Sequence, residues 1–230
     1  MTTKRNTHLF KERITLSDYD KLADELCTAI DEGEEALKVL LLGTAEPELY
    51  ADKGNFQDGQ HDRCNGLALA KRNFTEKRIC KCLYYFNSGH AKKCGKCSFP
   101  NRYRISGTYT IADYEVPACY YGSGIGEIDL VIAGDEVLYA TEVKPPKDEF
   151  DPQDPGNQES ILRMISEIMT YTLGYEPGKY KKAIAFFEDT KQAEEYAHMT
   201  PAVKKLIEKA DITVFRFEKA GPKEYKICKL

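Results

Sequence analysis

Apolar side chains along the 230 residues divide the chain into helical and extended stretches. Over 16–30, Tyr19, Leu22, Ala23, Leu26, Cys27 and Ile30 recur at the three-to-four-residue spacing of one helix face. Ser17 and Asp20 form a capping-box-like start. Gly33 interrupts the pattern, Ala36 to Leu42 resumes it, and Gly43 stops it. Residues 44–65 have little periodicity. From Tyr103 the period becomes two: 103–111 alternates and is rich in β-formers. Residues 127–132 and 137–144 read as two more strands, separated by the hairpin signal Gly134-Asp135-Glu136. A loop with four prolines spans 145–156. The helix expected over 158–173 places Ile161, Leu162, Ile165, Ile168, Met169 and Leu173 on one face. Ala183 to Phe187 reads as a fully buried strand. Residues 190–210 read as helical with a restart at Pro201, and Ile212 to Phe217 and Glu224 to Cys228 as strands. Helix, three strands, helix, strand, helix, strand is the order of a mixed α/β domain around one central sheet.

The two central strands carry the chemistry. With a period of two, Glu127, Asp129 and Val131 share one face, while Ile128, Leu130 and Ile132 take the other. Glu142 and Lys144 likewise share a face. Directly opposite residues of an antiparallel pair lie on the same side. A four-residue loop, Gly134 to Val137, sets Asp129 opposite Glu142; a two-residue Gly134-Asp135 turn sets it opposite Ala140. Either turn gathers Asp129, Glu142 and Lys144 on one surface. Carboxylates gathered this way repel unless a cation sits between them, and Mg²⁺ favours one or two carboxylates plus water and substrate phosphate. A lysine beside such an ion can orient a water or stabilise developing negative charge. Together these suit phosphodiester hydrolysis. A surface hairpin with a cross-strand salt bridge would use the same residues.

This set resembles the PD-(D/E)xK, or restriction-endonuclease-like, nuclease superfamily. The resemblance rests on Asp129, Glu142-Val143-Lys144 and the order of elements around them, over about residues 16–43 and 103–217. It implies a central mixed sheet flanked by helices. It also implies Mg²⁺ or Mn²⁺ on Asp129 and Glu142, with Lys144 assisting the water. Some members add an acid from the first helix, for which Glu25, Glu34 and Glu35 are candidates. RecB-like members add a Gln and a Tyr after the lysine strand; Gln158 and Tyr171 stand here at a longer spacing. Glu159, Arg163, Glu167 and Tyr171 recur every four residues as one polar stripe. That stripe is either a salt-bridge ladder on a solvated face or a set aimed at the site. In the second case Arg163 would contact phosphate and Glu167 would hold a water or a second metal. Glu127 is a further accessory candidate, or an edge charge.

The cysteines add a second chemistry. Eight are present, and Cys80, Cys82, Cys94 and Cys97 fall in a C-x-C…C-x-x-C arrangement. Four thiolates so spaced suit a closed structural Zn²⁺ site rather than an iron–sulfur cluster, with His61, Cys64 and His90 as reserve ligands. Residues 66–102 carry few apolar side chains, so zinc would supply their folding free energy. Cys27, Cys119 and Cys228 are expected as packing residues.

Charge sharpens the partner class. The chain has 33 Lys+Arg, 37 Asp+Glu and a net charge of −4. Residues 71–104 hold Lys71, Arg72, Lys77, Arg78, Lys81, Lys92, Lys93, Lys96, Arg102 and Arg104 against one acid, Glu76, a net +9. Phe74, Tyr84, Tyr85, Phe86, Phe99 and Tyr103 are interleaved. Such a segment suits phosphate contact and base stacking.

The expectation is therefore a single domain over 1–230 with a zinc-binding basic insertion at 66–102. It would hydrolyse nucleic acid, DNA ahead of RNA, with Mg²⁺ or Mn²⁺. A catalytically inactive nucleic-acid-binding or protein-interaction module and a nucleotide phosphoesterase fit the same residues. The longest aliphatic run, Val39 to Leu42, falls far short of the ~20 residues of a membrane span. With no apolar leader over 1–13, a cytoplasmic protein without a membrane partner is expected.

Overall fold

The computed structural model describes residues 10–14, 18–49, 76–87, 103–122, 124–144, 159–222 and 224–230, with side chains at 12, 13 and 76–78 excepted. A 3-10 turn (Phe10–Arg13) precedes α1 (Tyr19–Glu32) and α2 (Glu34–Leu42). The strand β1 (Glu48–Leu49) and α3 (Glu76–Asn87) follow. Next come β2 (Arg104–Ser106), β3 (Thr110–Pro117), β4 (Tyr120–Tyr121), β5 (Glu127–Gly134) and β6 (Val137–Lys144). The chain closes with α4 (Ile161–Thr172), β7 (Lys181–Phe187), α5 (Lys191–Ala197), α6 (Pro201–Lys209), β8 (Ile212–Gly221) and β9 (Glu224–Lys229).

Seven strands form one mixed sheet in the order β2-β9-β8-β7-β6-β5-β3, and β1 pairs with β4 apart from it. The β3-β5-β6 portion is antiparallel, β6-β7-β8 is parallel, and β9 returns antiparallel to β8. The parallel steps follow from their connections, since helices α4 and then α5-α6 carry the chain back across one face. Among the described residues no helix is long and apolar enough to cross a membrane.

The expected strand over 103–111 is two strands, and they stand at opposite edges of the sheet. Only 107–109 join them, with Gly107 at φ 103. Four residue steps reach at most about 14 Å. The edges of a flat seven-stranded sheet would lie about 29 Å apart. The sheet must therefore curl until its edges approach. Alternation alone could not reveal this, because both halves carry the same β-type pattern.

The curl encloses an aromatic face of Tyr103, Tyr109, Tyr114, Tyr139, Phe187, Phe215, Phe217 and Tyr225. Tyr109, on the edge-to-edge connection, reaches the sheet centre: its ring centroid lies 5.0 Å from that of Phe215 and 6.4 Å from that of Tyr139. Its hydroxyl donates to Asp135 Oδ2 at 2.6 Å. That bond first, then burial, pushes the Tyr109 hydroxyl up to about 12. The helix α3 seals the same face with Ile79, Cys80, Leu83 and Tyr85. Within 66–102, residues 76–87 thus join the core of the main sheet. Ile79 to Tyr85 follow helical spacing, which the count of cysteines and charges obscured.

The other face is aliphatic and helix-covered. Ala140, Ile184, Phe186, Ile212 and Val214 meet Ile161, Leu162, Ile165 and Ile168 of α4, with α1, α2 and α6 outside. The break at Gly33 (φ 105) and the left-handed cap at Gly43 (φ 75) lie where the sequence places them. At the start of α1 the N-cap is Asp18, with no side-chain cap bond. Asp20 instead accepts a bond from Thr200 Oγ1 at 2.6 Å, which ties α1 to the N-cap of α6. Cys27 packs in this core, whereas Cys119 and Cys228 are only half-buried.

A Cβ on Gly134 would lie 2.2 Å from Tyr109 Cδ1. Gly134→Ala is therefore expected to destabilise the protein by about 1–3 kcal/mol through overpacking. Thermal unfolding checks this, with a lower midpoint expected for Gly134→Ala than for wild type.

Candidate functional site

The β5-β6 hairpin turns on Asp135 and Glu136, at φ 52 and 60, with Gly134 still paired to Val137. Positive φ at both central residues is the twist-compatible hairpin turn. The resulting register, Leu130 opposite Thr141, sets Asp129 opposite Glu142. That is the pairing expected from the four-residue loop, reached through a tighter turn. The β3-β5 register, with Tyr114 opposite Leu130 and Val116 opposite Ile128, adds Glu115 to the same row. Three carboxylates so lie in line across β3, β5 and β6. Glu115 adopts φ 47, in a strand whose register shifts between Ile111 and Asp113. No periodic pattern points to such a residue, and the sequence reading missed it.

These side chains open into a cavity of about 190 Å³ lined by Glu115, Gly126, Glu127, Asp129, Glu142, Lys144, Glu159, Glu167 and Tyr171. Six of the nine are acids and one is a cation. Glu142 and Lys144 are almost fully buried, at 2% and 3% exposure. The Lys144 ammonium donates to Glu142 Oε1 at 2.8 Å, and lies 2.7 Å from Glu159 Oε2 and 4.0 Å from Glu167 Oε2. Asp129 Oδ2 accepts the Val143 N–H at 2.9 Å, which fixes one carboxylate against the neighbouring strand. Gly126 is needed for close approach, because a Cβ there would meet the Tyr171 hydroxyl at 2.7 Å.

The stripe on α4 turns toward this cavity. Glu167 is 4% and Tyr171 5% exposed, so the ladder does not face solvent. Arg163 Nε lies 3.0 Å from Glu159 Oε1 and 3.4 Å from Glu167 Oε1, holding two of the acids together. Ser160 caps the helix by accepting the Arg163 N–H at 3.3 Å. Neighbouring elements fix the same end. Gln192 Nε2 donates to the Glu159 carbonyl at 2.7 Å, Glu195 Oε1 accepts the Ile161 N–H at 3.1 Å, and the Tyr19 hydroxyl accepts the Leu162 N–H at 3.1 Å. The Tyr19 hydroxyl also donates to Glu195; burial, then this carboxylate, pushes its pKa well up. The helix is thereby placed to within a hydrogen bond at its N-terminus, and its acids with it.

Lys11 enters from behind. Its ammonium lies 3.3 Å from Glu167 Oε1 and donates to the Tyr171 hydroxyl at 3.1 Å. No motif in the sequence marks it. Burial would raise the Glu167 carboxyl, but Lys144, then Lys11 and Arg163, outweigh it and hold the group below its ordinary value. The Tyr171 hydroxyl is pushed far up, first by burial and then by the carboxylates of Glu167, Glu142 and Asp129.

Glu142, Glu159 and Glu167 each bring one carboxylate oxygen within 4.8 Å of the others, so this buried triad could hold a metal ion. Oxygen donors in excess over cations fit a hard divalent ion. None of the first-helix candidates reaches the cavity. Glu34 pairs with Lys38 at 2.8 Å, and Glu25 and Glu35 line a separate groove between α1 and α2.

Of the cysteine cluster, Cys80 and Cys82 lie two residues apart on α3, both buried. Residues i and i+2 leave a helix in different directions. Cys94, Cys97, His61, Cys64 and His90 lie outside the described residues, as do Gln158, Lys71, Arg72, Lys92, Lys93, Lys96 and Arg102. The side chains of Lys77 and Arg78 do too, whereas Lys81 is half-buried and Arg104 exposed.

No family model matches the chain. No curated protein matches it either. Among solved structures the chain is similar to SfsA of Pyrococcus furiosus in complex with Ca²⁺, with 14% identity and a TM-score of 0.24. The match covers 53% of each chain, so this chain spans about half the length of that protein. A likeness so slight carries no weight, and the site stands on its own geometry.

Removing Lys144 alone takes away the ammonium that lies 2.8 Å from the buried Glu142 carboxylate. Lys144→Met is expected to cost about 3–5 kcal/mol. Adding Glu142→Gln should return a large part of it, which a double-mutant cycle of unfolding free energies measures.

Proposed function

We propose that the protein is a metal-dependent phosphodiesterase of the PD-(D/E)xK type acting on nucleic acid, DNA ahead of RNA. The observation that carries this reading is the convergence of buried Glu142, Lys144 and Glu167 with half-buried Asp129 and Glu159 in one cavity. A salt bridge on a surface hairpin needs neither the burial nor the surplus of acids. Burying that surplus is costly, and such arrangements persist where a cation or a reaction uses them.

Asp129 and Glu142 would hold Mg²⁺ or Mn²⁺, with Glu159 and Glu167 as further oxygen donors. The bound ion supplies Lewis-acid polarisation of a phosphate oxygen and a lowered pKa for water. Lys144 now neutralises the carboxylates that would meet the ion. With their charge taken up, its ammonium becomes available to orient a water or to stabilise charge developing on phosphate. Arg163, half-buried at the edge of the acids, has the planar donor geometry suited to a phosphate. The net +9 of residues 71–104 supports a polyanionic substrate rather than a mononucleotide.

Incubation with linear and circular, single- and double-stranded DNA and RNA tests this reading. Cleavage is expected with Mg²⁺ or Mn²⁺ and none with EDTA. Lys144→Met should lose about 10²–10³-fold in rate. Wild type that cleaves nothing with any metal, indistinguishable from Glu142→Ala, would sink the proposal.

We propose in addition that Cys80 and Cys82 join Cys94 and Cys97 in a structural zinc site. This reading rests on the four-cysteine spacing, against the packing of Cys80 in the aromatic core. Metal analysis of purified protein should return about one zinc per chain, lost on replacing Cys94 and Cys97 with serine.

A further inference from the structure

Among the described residues, Lys11 is the one cation of the site supplied from outside the sheet and α4. Phe10, fully buried, anchors its 3-10 turn in the aliphatic core, and the turn packs against α2 and α4. That anchoring delivers an ammonium, itself only 8% exposed, to the far side of Glu167 and Tyr171. Its Nζ also sits 5.4 Å from the centre of the Tyr171 ring. An apolar side chain at this position would bury without the desolvation cost of a charge. What an ammonium adds is charge beside Glu167.

Its place differs from those of the other two cations. Lys144 bridges Glu142 and Glu159, and Arg163 bridges Glu159 and Glu167. A cation entering among these acids competes directly with both. Lys11 contacts Glu167 alone among the described carboxylates, on Oε1, while Oε2 points toward Lys144. An ion on the cavity side therefore leaves the Lys11 contact intact.

We propose that Lys11 is a positioning residue of the cation site. It fixes the Glu167 carboxylate and the Tyr171 hydroxyl from behind, and its charge limits how tightly the site holds a divalent ion. This rests on the reading of the cavity as a divalent-cation site. Loss of Lys11 should raise ion affinity, because a positive charge near the ion disappears, and should impair turnover, because Glu167 and Tyr171 lose their anchor. A residue that served only folding would weaken both together.

The test is Mn²⁺ titration of the full chain by calorimetry without substrate. It compares wild type with Lys11→Met, Lys11→Gln and Lys11→Arg, each first checked for cooperative thermal unfolding. The neutral variants should bind Mn²⁺ at least about tenfold more tightly, and Lys11→Arg should stay within about threefold of wild type. At saturating Mn²⁺, phosphodiester cleavage should slow in the neutral variants and recover in Lys11→Arg. Unchanged or weaker Mn²⁺ binding in both neutral variants overturns the proposal, as does a wild type that binds no Mn²⁺. The Lys11 effect on Mn²⁺ in a protein that cleaves no phosphodiester would uphold this role and reject hydrolysis.

Discussion

The register of the β5-β6 hairpin is the constraint from which the rest follows. Successive strand residues face opposite sides, so a slip of one position exchanges the two faces of β6 relative to β5. In the observed register Leu130, Ile132, Tyr139 and Val143 enter the aromatic core, and Asp129, Glu142 and Lys144 meet α4. A slipped pairing would drive charges into an aromatic interior or expose the aromatics. The Asp135-Glu136 turn and the bond from Tyr109 to Asp135 hold that register at one end. The bond from Val143 N–H to Asp129 holds it at the other.

Given that register, the helix after β6 cannot present an all-apolar face. Lys144 is buried, and a buried ammonium without partners is far less stable than one among carboxylates. Glu159 and Glu167 meet it, Arg163 clamps those two acids, and Lys11 balances Glu167 from behind. The network leaves acids in excess, the electrostatic condition under which a divalent ion can enter without uncompensated repulsion. Restraint of the α4 N-terminus by Gln192, Glu195 and Tyr19 keeps the donors at fixed separations. Fixed separations are what an ion site needs and what a solvated ladder lacks.

Sheet curvature was the feature least accessible to pattern reading. Residues 103–111 alternate throughout, yet Gly107 divides them between opposite edges. Local periodicity reports which side chains point inward, not which strand is the neighbour. The same holds for Glu115 and Lys11. One reaches the cavity through an irregular strand backbone, the other because Phe10 happens to be the core anchor beside it. Neither lies at a spacing that marks function.

The amino-acid sequence by itself determined the elements from α4 onward, the helix break at Gly33, the hairpin and the shared face of Asp129, Glu142 and Lys144. These depend on periodicity and turn chemistry, which are local. Tertiary structure alone decided that the α4 stripe points inward and that the first-helix acids stay away. It also decided that a lysine from the 3-10 turn pairs with Glu167. Those outcomes depend on which faces are brought together across long sequence separations. Burial converts the same charged residues from a solvated ladder into an interdependent site.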